Sequence, residues 1–227
     1  MTSGPVERAE AIVAGALERF PGRTALACSF GAPSAMVLLD LTLRLDRTVP
    51  VYYLDTELLF PETYDLIERT ARRYAIEPLA VKPALTLDAQ AAAYGDALWA
   101  REPDHCCALR KVAPMREFLR GYEAWFSGIR RADSAARGAT EPFERDAGGL
   151  TKVSPLFDWR DEDVDRYVAE RGVPVNMLHY EGYPSLGCVP CTRAVAPGED
   201  PRAGRWRGRP KQECGIHGAT LDAGGNI

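Results

Sequence analysis

The chain lacks any apolar run near the roughly 18 residues that cross a bilayer. Its first twenty residues carry acidic side chains through a helical apolar period, unlike the basic start and apolar block of a secretory signal. It also lacks an excess of positive charge, since the net charge is -4, which argues against a nucleic-acid partner. We therefore expect a cytoplasmic protein that has neither a membrane span nor a nucleic-acid partner.

Internal repeats and low-complexity tracts are absent as well. With 227 residues and 46% hydrophobic side chains spread evenly, the chain is long enough for one large core. After residue 172 the apolar period fades, and Pro, Gly, Cys and Arg dominate. We predict one domain, 1–227, in which an α/β core over 1–172 precedes a loop-rich segment over 173–213 and a mobile tail over 214–227.

Strand-like apolar runs alternate with helical patterns through the predicted core. Such alternation is typical of an α/β fold, with an open, mostly parallel sheet flanked by helices. We expect a further strand or turn near the run "KVSPLFDW". The predicted helices lie at 5–20 and 34–44 and begin at residues 61 and 160. The other predicted strands lie at 24–30, 49–55, 77–81 and 123–129.

Three polar loops follow predicted strands: "SFGAPS", "LDTELL" and "SGIRRADS". Ligands of open parallel sheets bind at the carboxyl ends of the strands, so we expect these loops to frame one site. Each loop is weak evidence alone, because the first is equally compatible with an ordinary turn in which Ser34 caps the following helix.

Six cysteines in a reducing compartment indicate metal binding or catalysis more than a disulfide framework. Cys106 and Cys107 are adjacent, and Cys188 and Cys191 form a CxxC, so the two pairs predict a four-sulfur metal site that fastens the C-terminal segment to the core. Spacing does not separate zinc from iron-sulfur, and a buried apolar pair with a redox dithiol is the alternative. Cys28, inside an apolar strand, has a packing role.

Cys214 lies in polar surroundings near Lys211 and His217, downstream of an Arg-rich run. Nearby cations lower the pKa of a thiol, and a thiolate on a mobile segment is suited to nucleophilic attack followed by transfer to a second protein. Two stretches are rich in cations, "RAGRWRGRPK" and "GIRRADSAARG". They form either solvated basic surfaces or an anion site.

These features together resemble the adenylylsulfate reductases of assimilatory sulfate reduction, relatives of the phosphoadenylylsulfate reductases. The resemblance runs along nearly the whole chain, and its most specific parts are "KVSPLFDWRDEDVDRYV", "VPVNMLHYEGYPSLGCVPCTRAV" and "ECGIH". It implies an adenine-nucleotide α-hydrolase-like (PP-loop) fold. It also implies a 4Fe-4S cluster on Cys106, Cys107, Cys188 and Cys191, with adenylylsulfate as the substrate because the cysteine pairs are present.

The resemblance further implies a reaction. Cys214 would attack the sulfonyl sulfur, expel AMP and become a thiosulfonate, from which a thioredoxin- or glutaredoxin-like thiolate releases sulfite. Lys111 would lie between cluster and substrate, and His217 in the closing tail, whereas His105 and His179 are interpreted as structural. Arginine forks bind phosphate and sulfate oxygens at two points. The substrate-binding candidates are Ser29, Gly31, Asp55, Arg130, Arg131, Arg202 and Arg205.

Two departures from the family pattern concern the predicted nucleotide loops. Pro33 and Ser34 stand where an acidic pair is common, and Glu57 replaces a frequent glycine. The missing acids disfavour a PP-loop enzyme that uses ATP for thiolation with zinc on the cysteines. The sequence is also compatible with phosphoadenylylsulfate reduction and with a non-catalytic nucleotide-binding or redox-sensing protein. The oligomeric state is left open, a homo-oligomer included.

Overall fold

The computed structural model describes residues 4–206, 208–209, 211 and 213–217. It contains a six-stranded sheet of order β3-β2-β1-β4-β6-β5. All neighbouring strands are parallel except β5, which pairs antiparallel with β6 at one edge. The strands are β1 (Thr24–Ala27), β2 (Val51–Leu54), β3 (Leu79–Val81), β4 (Ala124–Phe126), β5 (Phe143–Arg145) and β6 (Thr151–Val153).

The four predicted helices are present, and the mostly parallel sheet flanked by helices is confirmed. Four further short helices between residues 87 and 118 were not predicted. The predicted helix from residue 61 begins at that residue, where Pro61 occupies the first turn and needs no hydrogen-bond partner for its nitrogen. The helices are α1 (Pro5–Arg19), α2 (Pro33–Leu45), α3 (Pro61–Tyr74), α4 (Leu87–Tyr94), α5 (Leu98–Arg101), α6 (Pro103–Cys107), α7 (Ala113–Phe118) and α8 (Asp161–Arg171), and a π-helical turn, Ala108–Val112, joins α6 to α7.

Alternate residues of each strand face opposite sides of the sheet, so two cores form. Leu26 of β1 belongs to the first core, which α1, α2, α3 and α8 cover. Ala25 belongs to the second core, which is built with Trp125 of β4 and Met115 of α7. Helix α2 is buried on almost every side, from Ser34 to Leu43. The central strands and α2 therefore form a rigid platform for the loops at their ends.

The segment after residue 172 is loop-rich, as its composition predicts. Its described part contains two short 3-10 helices, Met177–Glu181 and Val189–Cys191, and an isolated antiparallel bridge between Thr192 and Arg205. Predicted tail residues 218–227 lie outside the described residues. Within the described part of the chain, no helix is both long and apolar enough to span a bilayer.

Candidate functional site

A cavity of about 500 Å³ opens at the carboxyl ends of β1, β2 and β4. The three loops predicted to frame a site line it, with Ser29 and Gly31 from the first, Thr56 from the second and Gly128 from the third. The volume suits a ligand of nucleotide size. We call this space the large cavity.

The first turn of α2 forms one wall of the large cavity. Ala32 is the N-cap, Pro33 occupies the first turn, and no acidic residue lies in that turn. Ser34 lies inside the helix and makes no capping hydrogen bond, so the capping interpretation of this residue is wrong. A helix N-terminus without carboxylates favours a bound anion, because its free N–H groups and the helix dipole carry positive charge.

Close backbone packing holds the loops together. A Cβ on Gly128 would lie 3.0 Å from the Cα of Ala35 and 3.2 Å from its nitrogen. A Cβ on Gly31 would lie 3.0 Å from the Cβ of Leu186 in the C-terminal segment. Phe30 is fully buried in the left-handed conformation, with φ 51. These positions bring the third loop and the C-terminal segment against the start of α2.

Cationic side chains dominate one side of the large cavity. Two of them keep buried N–H groups without a hydrogen-bond partner among the described residues, namely Nη1 of Arg130 and Nε of Arg205. Buried donors are normally paired, so these groups are available for an anionic ligand. The cationic lining residues of the described chain are Lys111, Arg130, Arg137, Arg202 and Arg205.

Two residues with predicted binding roles lie elsewhere. The guanidinium of Arg131 donates to the carbonyl oxygen of Thr140 and to Glu141, and it does not line the large cavity. The carboxylate of Asp55 accepts a 2.6 Å hydrogen bond from the hydroxyl of Tyr64 and likewise does not line it. Asp55 thus holds the second loop, and of the two adjacent arginines Arg130 is the one at the cavity.

Arg137, His179 and Cys28 are among the lining residues of the large cavity that the sequence prediction did not assign to the site. Arg137 belongs to a cation-rich stretch, yet nothing local distinguishes it from its neighbours. His179 is predicted to be structural, and burial lowers the pKa of its imidazole. His105, in contrast, lies 3.4 Å from Glu102 and 4.8 Å from the ring of Tyr94, away from this cavity.

The described part of the tail is docked on the core. Cys214 is half-buried and lines the large cavity. Ile216 packs against the second core. His217 stacks on Trp125, with ring centroids 5.8 Å apart. Burial and the neighbouring cations Arg137 and Lys152 hold the pKa of His217 well below its usual range, so the imidazole is neutral. The predicted nucleophile and the predicted cation site therefore share one space.

The two cysteine pairs line a second, smaller cavity, which we call the cysteine cavity. Cys106 and Cys107 end α6, whereas Cys188 precedes and Cys191 ends the 3-10 helix Val189–Cys191 of the C-terminal segment. All four thiols are free. The hydroxyl of Thr56 lies 3.3 Å from Sγ of Cys188, within hydrogen-bonding distance. Cysteines of the core and of the C-terminal segment therefore line the same space.

Lys111 lines both cavities. Burial alone would lower its pKa, but the sulfurs of Cys188, Cys214 and Cys107, when ionised, raise it by more and keep the ammonium group charged. Burial raises the pKa of Cys107 to about 12, an effect that Lys111 opposes. A cation placed between four thiols and the large cavity stabilises negative charge on either side.

The cysteine cavity also provides a test of fit for a metal group. No set of three or more His, Cys, Asp or Glu within the described ranges is arranged to hold a single metal ion. In a 4Fe-4S cluster each cysteine binds a different iron, so the four sulfurs surround a wider volume than around one zinc ion. Four free cysteines from two segments line one small space, and a set of four thiols is the donor composition that a 4Fe-4S cluster takes.

The fold has counterparts among solved structures. A phosphoadenylyl-sulfate reductase from Candida auris, solved as a phosphate complex, is 28% identical with a TM-score of 0.71, covering 82% of this chain and 90% of that one. An FMN adenylyltransferase of Candida glabrata is 17% identical with a TM-score of 0.62 over 84% of this chain and 64% of that one, a likeness of fold alone. The architecture is the adenine-nucleotide α-hydrolase-like (PP-loop) fold.

Sequence comparison identifies the family within this fold. The phosphoadenosine phosphosulfate reductase domain matches residues 23–194. A protein of Oceanobacillus iheyensis named adenosine 5'-phosphosulfate reductase is 47% identical over 193 residues, which cover 84% of this chain and 80% of that protein. The chain belongs to the phosphoadenosine phosphosulfate reductase family.

Proposed function

We propose that the chain is a cytoplasmic oxidoreductase that reduces adenylylsulfate to sulfite and AMP. The observation that carries the proposal is the placement of the Cys214 thiol in the same cavity as the cationic side chains and the carboxylate-free start of α2. A sulfate anhydride of a nucleotide is an anion with an electrophilic sulfur. The named function of relatives such as the Oceanobacillus protein supports the same substrate.

The proposed reaction has two thiol steps. The Cys214 thiolate attacks the sulfonyl sulfur, the bond from sulfur to the phosphate oxygen breaks, and AMP leaves with the electron pair of that bond. Cys214 then carries the sulfonate as a thiosulfonate. In the second step one thiolate of a thioredoxin- or glutaredoxin-type dithiol protein attacks Sγ, so that the bond from Sγ to the sulfonate sulfur breaks, sulfite leaves and a mixed disulfide forms. The second thiol of that protein then breaks the mixed disulfide, which frees Cys214 and leaves the partner as a disulfide that has supplied the two electrons.

Cations that line the large cavity would bind the substrate and stabilise the negative charge of the leaving group. Arg130 and Arg205 have buried N–H groups aimed at no other described residue, and these groups suit phosphate and sulfate oxygens. Lys111 would offset the charge that develops as AMP leaves. Neutral His217, stacked on Trp125, would keep the tail over the cavity.

We assign a 4Fe-4S cluster to Cys106, Cys107, Cys188 and Cys191. When bound, it would supply structural cross-linking and a fixed electrostatic environment, because the thiol steps pass no electron through it. The rival assignment is an ATP-dependent thiolation enzyme with zinc. It would need magnesium at the phosphates, and the first turn of α2 offers no carboxylate for that ion.

The test uses protein purified without oxygen. Iron and acid-labile sulfide are measured on the same sample that is assayed for sulfite release from adenylylsulfate with reduced thioredoxin. We expect the cluster and thioredoxin-dependent sulfite in the wild type, and the cluster without turnover in Cys214→Ser.

Three results would contradict parts of this proposal. Zinc without sulfide, and no sulfite release, would favour the thiolation enzyme. Normal sulfite release by Cys214→Ser would exclude this nucleophile. Faster turnover of phosphoadenylylsulfate, with both nucleotides competing at equal concentration, would change the assigned substrate.

A further inference from the structure

Glu213 precedes Cys214, and its carboxylate is held by two arginines of the cavity wall. Its oxygens accept hydrogen bonds of 2.8 Å from Nε and 2.9 Å from Nη2 of Arg137. A second guanidinium, that of Arg202, lies 3.5 Å away. A guanidinium that donates to both oxygens of a carboxylate fixes the orientation of that carboxylate as well as its distance.

Arg137 is itself held in place. Its third contact, from Nη1, is a 3.0 Å hydrogen bond to the carboxylate of Asp133. Asp133 in turn accepts hydrogen bonds from the backbone nitrogen and Nε of Arg130. Only 15% of the Arg137 side chain is exposed. The partner of Glu213 is thus also held by contacts within the core.

Contacts therefore hold the chain on both sides of Cys214, the first residue of the tail. On the following side, Ile216 packs against the second core and His217 stacks on Trp125. On the preceding side, the ion pair of Glu213 with Arg137 is the polar anchor. Gly215, with φ 85, turns the chain between the two anchors. The thiol lies at the point that both anchors constrain.

We propose that Glu213 is a positioning residue, whose ion pair with Arg137 latches the tail so that Cys214 lies in the large cavity. The inference rests on the proposed function, in which Cys214 attacks the substrate. Nε and Nη2 of Arg137 donate to Glu213 and are not free to bind the nucleotide in this arrangement. Loss of the latch should therefore reduce turnover, which needs Cys214 in position, more than it weakens the binding of nucleotide.

The test of the latch measures the alkylation of Cys214 by iodoacetamide on the nucleotide-free holoenzyme, with the modified peptide quantified by mass spectrometry. A charge-assisted two-point contact corresponds to roughly ten- to hundredfold in the closed-to-open ratio. We expect the alkylation rate to rise at least several-fold in both Glu213→Gln and Arg137→Gln.

Using both variants separates position from electrostatics. Removing the carboxylate beside Cys214 would favour its thiolate, whereas removing the cation would disfavour it, so a purely electrostatic effect moves the two rates in opposite directions. The matched control is Glu199→Gln, which breaks the two-point pair of Glu199 with Arg193 in the same segment, outside the large cavity. An unchanged or slower rate in Arg137→Gln would overturn the latch.

Steady-state kinetics provide the second readout. We expect kcat to fall roughly ten- to hundredfold in Glu213→Gln with little change in KM, and the double variant to lose no more than the worse single variant. Additive losses would overturn the pairing. Because alkylation needs no turnover, it tests the latch even if Cys214→Ser still releases sulfite, a result that would defeat only the proposed function.

Discussion

The imidazole of His217 and the indole of Trp125 are inclined by 23° and stacked at 5.8 Å. The contact places a group that normally titrates near neutral pH in a buried space with cations nearby, and both effects lower its pKa. The imidazole of His217 is therefore neutral when the tail is docked and binds a proton more readily when the tail is released. This coupling makes tail docking dependent on pH.

Docking should weaken as the solution is acidified. The contribution of neutral His217 to docking is fully present above the ordinary pKa of histidine, about 6.5. It is lost as the pH falls below that value, so the ratio of docked to released tail falls by up to about tenfold per pH unit. We expect tryptophan fluorescence between about pH 5.5 and 7.5 to report this release in the wild type. His217→Phe keeps an aromatic ring but no titrating group, so an identical pH profile in that variant would contradict the prediction.

Lys111→Met should reduce turnover more than binding. The ammonium group lies between the cysteine cavity and the large cavity, where charge develops on the leaving group. We expect kcat/KM to fall by about 10² to 10³, while equilibrium dialysis shows AMP affinity within a few-fold of wild type. Arg120→Met, at a cation whose side chain is 75% exposed, is the control. An equal loss of affinity and of kcat/KM would refute a transition-state role.

Arg110→Met should destabilise the fold. The guanidinium is buried and donates to the backbone oxygen of Thr56 at 2.8 Å, to Gln90 at 3.2 Å and to Glu57 at 2.6 Å. Glu57 has φ 59, a conformation that favours glycine, and this ion pair offsets part of its cost.

Removing the buried cation leaves those acceptors unpaired, so we expect the free energy of unfolding to fall by about 3 kcal/mol. Urea denaturation of the anaerobic protein provides the measurement. Arg120→Met breaks an exposed pair with Glu117 and should cost less than about 0.5 kcal/mol. Equal midpoints for the two variants would show that the Arg110 network adds no net stability.

Gly128→Ala should disturb the start of α2. The added methyl group would meet the backbone of Ala35 at 3.0 Å, and backbone cannot move aside as a flexible side chain can. We expect a loss of about 1–3 kcal/mol together with weaker AMP binding. In Gly15→Ala of α1 the new methyl group meets nothing within 4 Å apart from its chain neighbours and the backbone of its own helix, so this variant should stabilise the protein by about 0.5–1 kcal/mol. Thermal melts and equilibrium dialysis measure both variants.

Much of the fold could be predicted because its signals are local. Pro61 and the apolar period that follows it mark α3 without reference to any other segment. Strand β5, Phe143–Arg145, was not predicted, since it has three residues, no apolar run and a conformation that pairing with β6 supports. The π-helical turn Ala108–Val112 was missed because helical periodicity in the sequence does not distinguish the hydrogen bonds of a π turn.

The candidate site was predictable to a similar degree. Motif spacing was sufficient to bring Cys106 and Cys191 to one cavity. The choice among loop arginines was not, because the direction of each side chain depends on distant partners. Arg131 is held by Glu141 and the ring of Phe157, whereas Arg137 reaches Glu213, 76 positions away. No local pattern records such pairings.

The anchors on either side of Cys214 have a kinetic consequence for the proposed cycle. The same contacts that bring the thiol to its substrate must break before a partner protein can reach the sulfonate that the thiol then carries. Tighter anchoring would speed capture and delay delivery, so the best turnover belongs to an intermediate strength of attachment. Selection on this tail should therefore favour anchors of intermediate strength over the strongest anchors that the chain could form.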